Sequence, residues 1–389
     1  MASNQDIQVT KLFAEFVSKA DVSLLTPTVV AHVKEYLLDY LGVTVAAAHS
    51  WESTEQILKA VVGLGARTGT STVVLKGNDF LPQYAGLMNA ALGHTMDFDD
   101  TYTPGSLHAG RLPASTVEDA FGLALSKAAG SMQYLENGSW NKRLHPGFAV
   151  HDAFVAVSLA EAGVLGAARP FEGSYGLLHA YTPRTEHDLP SLVADLGSRW
   201  DFIETALKPY PACRMTHGLI EVGGRLGQET KGREVEKLTV SLSSPNHIVV
   251  GSQIPNKLHP ANIVDAQFSA YFQLAHAWLY GSDTGIEFSK RLDDEGIHKL
   301  SDKIECVKDD SVKGFGSKLR VQYSDGETKE VDIPFPLGEP EHPFSRDRVE
   351  AKYFSLVTPV LGEGKAKNLK NLVENLESHS VSELLQLVS

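Results

Sequence analysis

At 389 residues the chain exceeds what one hydrophobic core usually supports, so its length predicts two domains. Hydrophobic residues at 42% and charged residues at 21% describe an ordinary globular protein, and a formal charge of -13 argues against the basic surface that a nucleic-acid partner demands. An anionic small substrate stays compatible with that charge, because a local cluster of Lys, Arg and His inverts the field inside one cleft. Cys213 and Cys306 are too few for a disulfide framework and fit a reducing compartment. The opening residues MASNQDIQV carry neither a basic nor an apolar targeting region, and no run reaches the roughly 18 apolar residues of a membrane span. A cytoplasmic chain with no membrane partner is the expectation.

In chain order, the first half reads as helix. Leu12, Phe13, Phe16 and Val17 recur at helical spacing over 9–19, and Val29, Val33, Leu37, Leu41 and Val45 do so over 27–48, with Thr26 as N-cap before a first-turn proline. A short helix is predicted over 53–65, and the strand-like run 71–76 reads as an extended connector. From Pro82 a helix marked by Tyr84, Leu87, Met88, Ala91 and Leu92 delivers the stretch 89–110, NAALGHTMDFDDTYTPGSLHAG. Asp97, Asp99 and Asp100 then stand at a helix C-terminus, where the macrodipole is already negative, so a cation or a protonated histidine must offset them. Ser115 and Glu118 suggest a capping box opening a helix through Lys127. The glycine-punctuated segment 130–147 holds Lys142, Arg143 and His145 and reads as a loop. Helix returns over 148–163, and KPYPACRMTH over 208–217 is a proline-broken entry to another helix.

Composition then changes. Residues 235–242 alternate as a strand, and 319–323 with 327–333 flank Asp325-Gly326, a strong hairpin signal. With an apolar helix over 263–279 they predict a small α+β unit of about residues 230–340. Two amphipathic helices, near 346–356 and 367–376, close the chain.

Each candidate residue has a plainer reading beside its chemical one. His108, close in sequence to Asp97, is a general acid/base candidate or a loop-structuring residue. The same acids and histidines are a possible divalent-cation set, but no HExxH or second histidine at ligand spacing supports one. Lys142, Arg143 and His145 either clamp carboxylates or form a solvated turn. His217, with Lys208 and Arg214, admits both readings. Tyr271 and Phe272 on an apolar helix are more often core than catalytic. Phosphate-loop glycine motifs, a GxSxG elbow and a cysteine nucleophile with a matched partner are absent from the sequence.

The runs GHTMDFDDTYTPGSLHAG, SMQYLENGSWNKRLHPG and YPACRMTHGLIE, in that order, resemble the MmgE/PrpD family, whose members include 2-methylcitrate dehydratase, cis-aconitate decarboxylase and iminodisuccinate epimerase. QYAGLMNAALGH and DAQFSAYFQLAHAWLYG extend the likeness along almost the whole chain. The resemblance implies a mostly α protein: a large helical domain built from residues 1–229 and 341–389, with an α+β lid domain, 230–340, inserted between its parts. It implies a homodimer with no metal or organic cofactor and a small anionic carboxylate as substrate. On matching positions it carries Asp97, His108, Lys142 and His217 over as catalytic. Thr101, Arg143, His145, Tyr271 and Phe272 become substrate-binding candidates; the family often has tyrosine where Phe272 stands, and Tyr271 is its neighbour.

The implied chemistry is elimination from a di- or tricarboxylate, most directly dehydration of a 2-methylcitrate- or alkylcitrate-type acid. Decarboxylation of cis-aconitate and epimerisation are the alternatives. One departure stands out: family chains continue from the LHPG-like motif through several dozen helical residues with another active-site histidine, whereas here His108-Ala-Gly-Arg-Leu-Pro leads almost directly to Ser115. That departure leaves a repurposed isomerase or cyclase, or an inactive homologue, as further readings.

Overall fold

The computed structural model describes residues 7–101, 112–184, 186–283 and 285–389. Helix dominates, and the strands make one hairpin and one small sheet. The N-terminal half runs α1 (Val9–Lys19), α2 (Pro27–Ser50), α3 (Thr54–Gly63), a hairpin of β1 (Ser71–Val73) and β2 (Gly77–Phe80), α4 (Pro82–Thr95), α5 (Ala114–Leu125), α6 (Asn141–Glu161) and α7 (Leu177–Tyr181). Next come α8 (His217–Glu229), β3 (Val235–Leu242), the short α9 (Ser244–Asn246), α10 (Pro255–Leu258) and α11 (Ile263–Gln267), then α12 (Ala270–Tyr280) and α13 (Glu295–Ser301). The chain continues through β4 (Ile304–Lys308), β5 (Ser317–Tyr323), β6 (Thr328–Ile333), α14 (Arg346–Leu361), α15 (Glu363–Glu374) and α16 (Val381–Val388).

Local chemistry explains several starts and stops. Thr26 accepts a hydrogen bond from the Val29 amide and Pro27 opens α2, the expected cap. Gly326, at φ 90°, turns β5 into β6 as its Asp-Gly pair requires. Elsewhere the sequence expectation needs correction. Residues 71–76 do not run on as a connector, because Gly77 at φ 120° folds β1 back onto β2. The capping box at Ser115 is not made: Pro113 precedes the first turn and no side chain caps α5. The apolar helix 263–279 is two helices, broken at Phe268 where Ser269 accepts from the Phe272 amide and starts α12 afresh. β4 escaped the sequence reading, and it pairs in parallel with β3 in the order β4-β3-β5-β6.

The two ends of the chain share one core, in which Leu41, Val45, Met88 and Leu92 meet Tyr353, Val357, Leu369 and Val388. A second core joins α8, α12 and the four-stranded sheet through Leu219, Leu226, Leu238, Phe272, Leu274 and Val321. No helix among the described residues is long and apolar enough to cross a membrane.

The pairing of α4 with α6 positions the site. A β-carbon on Gly147 would sit 2.7 Å from the Leu87 carbonyl oxygen, and one on Gly86 2.7 Å from Val150 Cγ1. Side-chain-free contacts let the two backbones approach, antiparallel, so that the start of α6 lies beside the end of α4. Lys142, Arg143 and His145 thus belong to the first turns of a helix, not to a loop. Cations oppose the positive helix N-terminus, and Pro146 removes a backbone donor there. Pairing with Asp97 and Glu52 offsets the charge.

Candidate functional site

Residues 96–101, just beyond α4, hold the acids. Asp97 adopts φ 52°, the left-handed region that costs a side-chain-bearing residue free energy unless its surroundings hold it. They do so from three directions. Gln267 Nε2 donates to the Met96 carbonyl at 2.7 Å, Lys208 Nζ to the Asp97 carbonyl at 3.0 Å, and Lys352 Nζ to the Phe98 carbonyl at 2.6 Å. Thr101 closes the segment with a two-bond bridge to Ala206.

Asp97 is 3% exposed, and its Oδ1 accepts from the ammoniums of Lys142 and, at 2.6 Å, Lys208. Its Oδ2 has no partner among the described residues. Burial pushes the carboxyl up, but the charges of Lys142, Lys208 and His94 outweigh it and hold the group well below the usual carboxylate range. Burial likewise works against the Lys142 ammonium and is overcome by Asp97 and Asp99, so its pKa lies above the ordinary value. The offset demanded by three acids at a helix end is therefore internal. His94 Nδ1 lies 2.7 Å from Asp99 Oδ2, and against burial this contact, with Lys208 and Lys142, holds the Asp99 carboxyl below its ordinary value.

The other candidates divide. His145 packs edge-on to Tyr134 with centroids 6.0 Å apart, and burial, then His94 and Lys142, push its pKa down. His217 is buried, donates from Nε2 to the Ala212 carbonyl at 3.0 Å, and is pushed down to about 3 by burial and by Lys208, which makes it a neutral imidazole. Thr101 accepts from Arg214 Nη1 at 3.1 Å, and Arg214 is gripped by both carboxylate oxygens of Glu339. All three line an open cavity of about 790 Å³. Arg143 donates to Glu52 at 2.6 Å and packs on Trp140, while its Nε and Nη1 have no partner among the described residues.

Tyr271 and Phe272 lie in the second core. The Tyr271 hydroxyl is taken by the Gly251 carbonyl at 2.8 Å, and Phe272 stacks on His276. Phe268 lies nearer the site, its ring 5.4 Å from Lys142 Nζ. His108 lies outside the described residues. The sequence reading weighs Lys208 only beside His217 and Arg214, in the run KPYPACRMTH, and gives no role to Gln267 or Lys352.

Asp100 behaves differently from its neighbours. Burial, Asp99 and Asp39 push its carboxyl up to about 7. An unfolded carboxyl releases its proton near about 4, so between about pH 4 and 7 the folded state binds the extra proton and this group lowers stability as pH rises. Asp100→Asn is expected to melt above wild type at about pH 8 and close to it at about pH 4. Parallel melts at both pH values would contradict this.

His94, Asp97 and Asp99 also offer one ligand atom each within 4.8 Å of one another, a possible metal set. Two ammoniums already neutralise Asp97, and a dication would have to enter against them.

The MmgE/PrpD N-terminal domain profile matches residues 11–111 and 109–190, two pieces that meet where the sequence leaves the family pattern, and the C-terminal domain profile matches 210–378. The chain is 28% identical over 296 residues to the cis-aconitate decarboxylase-like protein oryM of Aspergillus oryzae, covering 72% of this chain and 61% of that protein. It is 27% identical over 312 residues to a cis-aconitate decarboxylase of Aspergillus terreus, covering 73% and 62%. The chain therefore spans about three fifths of the length of these relatives. With profiles for both halves matched in order over most of its length, the chain belongs to the MmgE/PrpD family.

Proposed function

We propose that the chain is a cofactor-independent lyase acting on a small di- or tricarboxylate. The observation that carries this is the pair of ammoniums, Lys142 and Lys208, converging on the single carboxylate of Asp97 in a buried setting. Lys142 keeps 20% of its side chain exposed and offers its ammonium to an incoming carboxylate beside Asp97. In dehydration, a base removes the proton beside a carboxylate while an acid protonates the departing hydroxyl, which leaves as water. In decarboxylation, the carbon–carboxylate bond breaks, carbon dioxide leaves and the carbanion takes a proton.

His108 keeps the proton-transfer role that the family resemblance implies, and His217, neutral and buried, is the second acid/base candidate. The dehydratase reading on a 2-methylcitrate-type acid stands first on mechanism. Decarboxylation of cis-aconitate is favoured by the names of the two relatives. NMR of products formed from 2-methylcitrate, citrate, cis-aconitate and iminosuccinate tests both: alkene products with release of water support the first, carbon dioxide release the second, and no turnover of any of them sinks the lyase reading. The homodimer is part of the proposal, and light scattering at twice the 42.2 kDa of the chain checks it.

A further inference from the structure

An apolar cavity beside the acidic segment lies between α1, α2, α4 and α6, with a volume of about 930 Å³, within the range of small-molecule sites. Phe16, Tyr40, Val150, Phe154, Val157 and Trp200 give it an apolar wall. His94, Asp99 and Asp100 form its polar end. Nδ1 of His94 is committed to Asp99 at 2.7 Å, and no described residue bonds Nε2. A carboxylate that fixes one ring nitrogen of a histidine lining a cavity is the arrangement of an oriented acid/base group. Pro146, on the cavity wall, lies one helical turn from Lys142 on the same face of α6, and the charges of Lys142 and His94 both act on Asp97 and Asp99.

We infer that His94 is a proton-transfer residue of this chain, oriented by Asp99 and acting through Nε2 on an organic acid held between Lys142 and the α1–α2–α4–α6 cavity. The inference rests on the carboxylate-lyase reading above. It adds an acid/base group to His108 and His217.

The test compares wild type with His94→Ala on whichever panel carboxylate the wild type converts, with and without added imidazole. kcat is expected to fall about 10²-fold or more, KM to change by less than about threefold, and imidazole to restore part of the rate through the space vacated. Asp99→Asn, a milder change, is expected to lower kcat about tenfold. A kcat within about threefold of wild type overturns the inference while the lyase reading stands. So does a loss that imidazole does not rescue and that follows the melting temperature. If wild type converts nothing in the panel, the lyase reading falls and the chain alone decides His94. Diethyl pyrocarbonate is then expected to acylate His94 faster than buried His217, and more slowly in Asp99→Asn; an unmodified His94 overturns the inference.

Discussion

Asp97→Asn is expected to remove about 3–5 kcal/mol of stability and to lower kcat/KM by about 10²-fold or more. The stability loss falls on Lys208. Lys142 keeps 20% of its side chain exposed and turns to water, whereas Lys208 is 3% exposed and bonds only the carboxylate and carbonyl of Asp97 among the described residues. Removing the anion leaves a buried ammonium without its counter-charge, the costly half of a broken pair. Asp97→Asn with Lys208→Met is therefore expected to recover most of the stability in urea unfolding and none of the turnover, which separates holding the segment from binding an anion. The pH dependence has a definite sign. The Asp97 pKa is depressed on folding, so its contribution is fully present above the unfolded carboxylate value of about 4 and is lost as pH falls through the folded value. The gap between wild type and Asp97→Asn should narrow on acidification. A single mutant as stable as wild type at neutral pH would show that the two lysines do not depend on Asp97.

How much of this was legible in the sequence depends on range. Local signals carried α2, whose cap and first-turn proline are adjacent residues, and the β5–β6 hairpin, whose turn is two residues long. The crowding of acids at the end of α4 was also readable, and so was the demand for cations. Their source was only half readable. The sequence points to Lys142, but as part of a loop, because Lys142, Arg143 and an interior proline oppose a helix start; only the tertiary partners Asp97 and Glu52 make that start tolerable. Lys208 meets Asp97 across 111 positions and Lys352 meets Phe98 across 254, and no periodicity encodes which distant lysine turns inward. Tyr271 and Phe272 fell to the common outcome for aromatics on an apolar helix, the core, and the break at Ser269 put Phe268 beside Lys142 instead.

Lys352 carries the second large effect. It lies in α14, near the end of the chain, with Nζ 2.7 Å from Asp39 Oδ1 in α2 and 2.6 Å from the Phe98 carbonyl. Both members of the ion pair are buried, and burial drives Asp39 up and Lys352 down in pKa even against their mutual attraction. Desolvation thus exceeds the Coulombic gain, which predicts opposite outcomes for half and whole removal of the pair. Lys352→Met alone is expected to cost about 3–5 kcal/mol at neutral pH and less on acidification, where Asp39 takes up a proton and needs no counter-charge. Lys352→Met with Asp39→Leu is expected to regain most of that loss, leaving the unpaired Phe98 carbonyl at about 1–3 kcal/mol. Turnover should not return with stability, because that carbonyl bond is what ties the residue after Asp97 to the C-terminal helices. A stable double variant with wild-type kcat would mean that Gln267, Lys208 and the Thr101–Ala206 bridge suffice to hold Asp97 in its left-handed conformation, and that the ion pair serves the core alone.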